Sequence, residues 1–143
     1  MKPRIAIAAL AVTAAALLMA GTAAAGDIRL TGATNADMWT GTLTSTVPVV
    51  TTIEAGRFNE SSGVFHVSGT EQFTGCLDTA GGQKCGTLTF RFQAWGNFDP
   101  GGNFVRGGCQ HWVIDSGGDL SGATGFLTMH DRPATTYRGH ITL

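Results

Sequence analysis

The sequence has no basic stripe of Lys and Arg residues. Its nine Lys and Arg residues are scattered over 143 positions and are outnumbered by ten Asp and Glu residues, which gives a net charge of −1. Because nucleic-acid binding rests on many Lys and Arg contacts to phosphate, this composition argues against a nucleic-acid partner. The chain also lacks internal repeats and linkers, and its length allows one hydrophobic core but not two.

No segment between residues 63 and 143 shows the period of a helix. Apolar and polar residues alternate with a period of two instead, and Gly-rich breaks separate the runs, which is the pattern of half-buried strands. Eight strands are predicted, over residues 27–30, 38–46, 49–54, 64–76, 85–95, 104–114, 120–130 and 135–143. Strands joined by short turns pair with their neighbours, and a closed meander has no free edges. The sequence therefore predicts an all-β fold, a single eight-stranded antiparallel up-and-down β-barrel.

The first 25 residues have the features of a secretory signal peptide. Lys2 and Arg4 precede an apolar run over residues 5–20, and small Ala residues at 23–25 suit cleavage. A membrane anchor is the alternative, but the run is short and Ala-rich for a membrane span. We expect cleavage after Ala25, a barrel domain over residues 26–143 without stable membrane insertion, and a secreted, periplasmic or cell-envelope location. The mature chain would keep seven basic and ten acidic residues, a net charge of −3.

The hairpin between residues 64 and 95 predicts its own register. A turn centred between Ala80 and Gly81 pairs Cys76 with Cys85 and Glu71 with Phe90. The same register collects an apolar set on the inner face of the barrel: Phe65, Val67, Phe73, Leu88, Phe90, Phe92 and Ala94. Glu71 falls on this face too, where a carboxylate loses hydration unless it is hydrogen-bonded or paired.

The last hairpin, with a turn near Arg132 and Pro133, places a second polar group inside. Its predicted inner face holds Leu127, Met129, Tyr137, Ile141 and Leu143. One interpretation is that Glu71 and Tyr137 satisfy each other or a buried backbone group. The other is that they line a ligand pocket, with Glu71 as base or hydrogen-bond acceptor and Tyr137 as donor.

The register of the strand over residues 104–114 is ambiguous by one residue, and such a slip inverts the whole strand. The two alternatives turn inward either Cys109, His111 and Val113 or Gln110, Trp112 and Ile114. We choose the first, because it places Gly107 opposite Ala94 and continues the apolar face.

Three cysteines in an exported chain indicate one disulfide and one free thiol. The hairpin register favours Cys76 with Cys85, and the rival is a bond from either of them to Cys109. Cys109 and His111 are a poor nucleophile and base, because residues two apart on a strand diverge and no third group orients them. A buried inert thiol is favoured. The four histidines occupy separate strands without ligand spacing, so no metal and no cofactor are predicted.

Three segments resemble the allene oxide cyclase barrel-like superfamily. They are Gly-Thr-Glu-Gln-Phe-Thr-Gly at 69–75, Ser-Gly-Gly-Asp-Leu-Ser-Gly-Ala-Thr-Gly at 116–125 and Tyr-Arg-Gly-His-Ile at 137–141. The resemblance covers about residues 64–143 and is closest to uncharacterised bacterial members, more distant from dirigent proteins, spirotetronate cyclases and plant allene oxide cyclases. It implies an eight-stranded barrel with an apolar central cavity. Enzymes of the group guide a reactive apolar substrate into one conformation, and Glu71 matches a position where some relatives keep a cavity-facing carboxylate.

The leading functional hypothesis is a secreted barrel that binds a small apolar or amphipathic molecule in its central cavity. The candidate lining is Glu71, Tyr137, His111, Phe65, Phe73, Phe90 and Phe92. One alternative is an isomerase or cyclase that uses the same cavity, with catalytic residues not assigned. Another is a non-catalytic envelope protein with a filled core. A continuous pocket of about 300 Å³ or more would favour the first two.

Overall fold

The computed structural model describes residues 26–35, 37–131 and 135–143. The predicted signal peptide over residues 1–25 and the turn at Arg132 and Pro133 lie outside these ranges. Nine strands are present: β1 (Asp27–Asn35), β2 (Met38–Gly41), β3 (Leu43–Ser45), β4 (Val50–Asn59), β5 (Val64–Thr79), β6 (Gly82–Phe98), β7 (Phe104–Gly118), β8 (Thr124–His130) and β9 (Thr136–Thr142). Across these ranges there is no helix long and apolar enough to cross a membrane.

All strands belong to one antiparallel sheet that is nearly closed into a barrel. Its order is β2-β1-β9-β8-β7-β6-β5-β3, and β4 also pairs with β5. Because β3 and β4 follow one another along β5, they share one of eight strand positions. Two bonds link β2 to the β3–β4 side: Val49 N–H donates to Asp37 O (2.8 Å) and Trp39 N–H donates to Ser45 Oγ (2.9 Å). The predicted all-β barrel is therefore confirmed.

The β5–β6 hairpin has the predicted register over its whole length. Cys76 lies opposite Cys85 and Glu71 lies opposite Phe90. The predicted disulfide between Cys76 and Cys85 is present, with a Cα–Cα distance of 4.0 Å, and Cys109 is the free thiol. The position of the turn and the strict alternation along both strands determine the register, so it could be predicted from the sequence.

The residues of β7 that face inward are those of the chosen register, but the predicted pairing of Gly107 with Ala94 was wrong. His111 is fully buried and Ile114 is 51% exposed. Cys109, not Gly107, lies opposite Ala94. Phe98 pairs with Phe104, so the loop is centred on Gly101, which moves the register by one residue from the prediction. A bulge between Asn97 and Phe98 moves it by one more residue. Together they shift the register by two residues, and an even shift leaves the faces unchanged.

The prediction of one strand over residues 38–46 was wrong. The chain bends at Thr42, so that β2 pairs with β1 while β3 pairs with β5. Gly41 makes the bend feasible, because its φ of +114° lies in a region that L side chains rarely adopt. The hydroxyl of Tyr137 accepts a hydrogen bond from Leu43 N–H (3.0 Å) just beyond the bend.

Other strand boundaries differ more modestly. β1 and β4 each run five residues beyond their predicted ends, to Asn35 and Asn59. The strand predicted from residue 120 begins only at Thr124. Residues 119–123 instead form a turn in which Leu120 is fully buried. Gly118 and Gly122, two residues before and after Leu120, adopt positive φ.

The core is centred on Trp39 of β2, which is 3% exposed. Its indole lies 5.5–5.9 Å from four other rings, measured between centroids: Phe73, Phe90, His111 and Tyr137. Fully buried aliphatic side chains surround this group: Leu30, Leu43, Leu77, Leu88, Leu120, Leu127 and Ile141. One aromatic residue from a four-residue strand therefore occupies the middle of the barrel.

Candidate functional site

Glu71 of β5 and His111 of β7 form the central polar contact of the barrel. Each projects inward, and Glu71 Oε2 lies 2.9 Å from His111 Nε2. The second carboxylate oxygen, Oε1, accepts a hydrogen bond from Thr51 Oγ1 on β4 (3.2 Å). The His111 side chain is 1% exposed and the Glu71 side chain 15%. Each carboxylate oxygen therefore has one partner inside the barrel, and the side chain still reaches solvent.

Cys109 also approaches His111, but not in the geometry of a catalytic triad. Its Sγ lies 3.6 Å from Nε2, the same nitrogen that contacts Glu71, while the buried Nδ1 has no partner among the described residues. A triad needs the nucleophile and the carboxylate on opposite ring nitrogens. Burial, reinforced by the negative charges of Glu71 and Asp131, raises the pKa of Cys109 to about 12. This geometry favours the inert-thiol interpretation.

Tyr137 does not meet Glu71. Its hydroxyl accepts from Leu43 N–H (3.0 Å), and the carbonyl oxygens of Leu43 (2.9 Å) and Thr40 (3.0 Å) both lie within hydrogen-bond distance of its single O–H donor. Gly32 lies opposite Tyr137, and a Cβ there would collide with the phenol oxygen. Burial raises the pKa of the phenol. Tyr137 thus forms hydrogen bonds with the backbone at the β2–β3 bend. This agrees with the interpretation that its hydroxyl satisfies buried backbone groups rather than a ligand.

The remaining candidate residues separate into two groups. Phe73 and Phe90 are fully buried, and Phe92 is 3% exposed. Because Phe73 and Phe90 have no surface accessible to water, the described part of the barrel is filled around these two rings. Phe65 is only half-buried and lies at one end of the barrel. Sequence reasoning missed Trp39 as the residue that fills the interior, although alternation with Thr40, Thr42, Thr44 and Thr46 places it on the apolar face.

At one end of the barrel the β4–β5 and β6–β7 hairpins project beyond the other strands. The last pair between β7 and β8 is Gly108 with His130, yet β7 extends four residues further to Phe104. Four contacting rings, which we call the aromatic mouth, cover the inner side of this projection: Phe58, Phe65, Phe98 and Phe104. Phe58 and Phe98 also line a cleft of about 580 Å³ at the hairpin tips.

The inner side of β4 is not covered by the described part of the chain. Ile53 lies opposite Gly69 and Phe58 lies opposite Phe65, so both side chains project inward. Ile53 is nevertheless 62% exposed and Phe58 56% exposed. The barrel is thus open along β4, from the aromatic mouth down to Thr51 and Glu71. Sequence alternation alone cannot reveal this opening, because a strand that projects beyond its neighbours has the same pattern as a covered one.

Within the described ranges, no group of three or more His, Cys, Asp or Glu side chains is arranged to hold a metal ion. Searches against family models, curated proteins and solved structures return no match to this chain.

Replacing Glu71 tests the hydrogen-bonded role of its carboxylate. We expect Glu71→Leu to lower the free energy of unfolding by about 1–3 kcal/mol, because it leaves the buried imidazole of His111 with only the weak contact of its Nε2 to the Cys109 thiol. Glu71→Gln should cost less than about 1 kcal/mol, since an amide can accept from Nε2–H and bond to the Thr51 hydroxyl. Urea denaturation measures both. Equal losses for the two variants would show that the charge, rather than the hydrogen bonds, stabilises the fold.

Proposed function

We propose that this protein is an exported binding protein that holds a small apolar or amphipathic molecule at the aromatic mouth. The observation that carries the proposal is the exposure of the inward-facing Ile53 and Phe58, at 62% and 56%. Phe58 also lines the cleft at the hairpin tips, and exposed apolar side chains beside a cleft are typical of binding sites. This site is not the central cavity expected from the sequence, because Trp39 occupies the centre of the barrel.

The mouth has the chemistry for an amphipathic ligand. Its walls are the rings of Phe58, Phe65, Phe98 and Phe104, which contact one another at centroid distances of 5.7–6.5 Å. Glu71 lies on the same inner face, six residues from Phe65 along β5, and its side chain is 15% exposed. Six residues of strand span about 20 Å, so an elongated molecule with an apolar body against the rings and a hydroxyl or amino group toward the carboxylate would match this distribution.

Two other features support the proposal without testing it. The Cys76–Cys85 disulfide is compatible with export into an oxidising compartment. The nearly closed antiparallel barrel is compatible with membership of the allene oxide cyclase barrel-like superfamily, which we propose from the three segments named above. The alternative of an envelope protein with a filled core is also compatible with this site, since the mouth lies outside the packed interior.

A catalytic role in the same mouth is the second candidate, favoured by the Glu71–His111 pair. The pair places a carboxylate hydrogen-bonded to an imidazole (2.9 Å) below the exposed apolar surface. Such a couple suits proton transfer in an isomerase or cyclase. If the protein is an enzyme, Glu71→Gln should abolish turnover and leave ligand affinity nearly unchanged.

Binding of the neutral fluorescent probe N-phenyl-1-naphthylamine tests the site. We expect saturable binding to the wild type, and at least about tenfold weaker binding to Phe58→Ser, equivalent to about 1.4 kcal/mol. Ile114→Ser is the matched control, because Ile114 is an exposed strand residue (51%) outside the mouth. Absence of probe binding, or equal losses in the two variants, would contradict the proposal. Mass spectrometry of metabolites retained by the wild type but not by Phe58→Ser would identify the natural ligand.

A further inference from the structure

A cluster of positive charge lies on the outer wall of the barrel, away from the aromatic mouth. Arg29 of β1 is directly opposite His140 of β9, which is directly opposite Phe126 of β8. Two residues further along β9, on the same face, Arg138 lies between Thr31 and Thr128. Leu30, Leu127 and Ile141 next to them are buried, so these side chains face outward. We call Arg29, Arg138, His140 and Phe126 the arginine wall.

The members of the arginine wall are close enough to bind one ligand. Directly opposed residues in an antiparallel pair have Cβ atoms about 4.5–5.5 Å apart, and diagonal neighbours about 7–8 Å. Arg29 and Arg138 are diagonal neighbours, with His140 adjacent to both. All four residues line one depression of about 520 Å³ on the protein surface, together with Thr31 and Thr128.

Neither arginine of the wall has an acidic partner in the described part of the chain. The ion pairs found there are Arg91 with Glu54 and His111 with Glu71. The acid nearest to the wall along β1 is Asp27, two residues before Arg29, and it forms no ion pair with it. Two guanidinium groups close together on a protein of net negative charge thus form a local positive site. Arginine forks match the oxygens of carboxylate, sulfate and phosphate groups.

The wall also offers a flat apolar surface beside its cations. The ring of Phe126 packs against the ring of Trp112 on β7, with centroids 5.6 Å apart and both rings half-exposed on the outer face. The hydroxyls of Thr31 and Thr128 lie on either side of Arg138. An inorganic anion would need only the guanidinium groups. A sugar ring uses all three features, because its C–H face packs on an aromatic ring, its hydroxyls pair with threonine and its acidic group pairs with arginine.

We propose that the arginine wall binds a saccharide that carries a carboxylate, sulfate or phosphate group. This site is independent of the aromatic mouth, because the wall faces outward on β1, β8 and β9 whereas the mouth faces inward on β4–β7. The protein would then hold two chemically different ligands on opposite sides of its sheet.

Isothermal titration calorimetry of the full mature chain tests the proposal with four probes. They are a trigalacturonate, a heparin-derived hexasaccharide, a neutral maltohexaose and inorganic phosphate. We expect binding of at least one acidic saccharide, weakened by added NaCl because charge pairs are screened, and none of maltohexaose. Arg29→Gln and Arg138→Gln should each weaken that binding about tenfold, and Phe126→Ser should weaken binding of the saccharide but not of phosphate.

Arg57→Gln is the matched control, because it removes the same charge from an exposed position on β4, distant along the sheet from the wall. It should leave affinity unchanged, and circular dichroism should show that every variant is folded. Equal losses for Arg57→Gln and Arg138→Gln would overturn the proposal in favour of a general charge effect. So would maltohexaose binding as tightly as the acidic probes, phosphate binding without any saccharide preference, or no binding of any probe at millimolar concentration.

Discussion

Trp39→Ala is expected to lower the free energy of unfolding by about 3–5 kcal/mol, the usual cost of removing a large aromatic side chain from a packed core. The indole contacts the rings of Phe73, Phe90, His111 and Tyr137, all nearly or completely buried. Its removal leaves a cavity bounded by rings on separate strands, which cannot collapse together without disturbing the sheet. Since small domains are stable by only about 5–15 kcal/mol, the variant should be close to unfolding at room temperature.

Trp95→Ala provides the matched control for this experiment. Trp95 projects from β6 on the outer side, is 41% exposed and contacts the guanidinium of Arg106 at 5.9 Å from its ring centroid. Losing this contact should cost no more than about 1 kcal/mol. Urea unfolding followed by far-UV circular dichroism compares the two variants without depending on tryptophan fluorescence. Similar losses, or a loss below about 1 kcal/mol for Trp39→Ala, would show that the centre of the barrel is not packed around this residue.

Cys109 is expected to resist alkylation in the folded protein by a large factor. The thiolate is the reactive form, and burial raises the pKa of Cys109 from 9.0 to about 12. At pH 8 the thiolate fraction should therefore be on the order of a thousandfold smaller in the folded state than in the unfolded chain. Iodoacetamide labelling followed by mass spectrometry, with and without urea, measures this ratio. The Cys76–Cys85 disulfide removes the other two cysteines from the reaction.

Two variants separate the causes of this low reactivity. Glu71→Gln and Asp131→Asn each remove a negative charge that raises the pKa of the thiol, so each should increase the rate at pH 8 by a smaller factor than unfolding does. Burial, the main cause, stays the same in both. Rapid labelling of the folded wild type would contradict this reasoning and would indicate that His111 activates Cys109, as a catalytic thiol requires.

Local patterns predicted the parts of the barrel in which neighbouring segments pair. The β5–β6 hairpin is the clearest case, because its turn and its long alternating strands leave one register that buries Phe73, Leu88 and Phe90 together. The same reasoning placed Glu71 and His111 on the inner face. It did not find that they contact each other, because β6 separates their strands and hydrogen-bond partners across two strands depend on side-chain length and barrel curvature.

Contacts between distant segments decided the rest. The bend after Gly41 does not interrupt the alternation of buried and exposed residues, since Trp39, Leu43 and Ser45 are all buried. The sequence pattern therefore gives no sign of it. A hydroxyl 94 residues away, on Tyr137, bonds the backbone of Leu43 at this bend, so its position depends on barrel closure. The open side of β4 likewise follows from the length of β5–β7 relative to β8. The sequence by itself thus determined strand content, facing and the disulfide, because these depend on local periodicity and turns. Only the tertiary structure decided that Trp39 fills the barrel and that the described residues leave the inner side of β4 uncovered, because both depend on how distant strands meet.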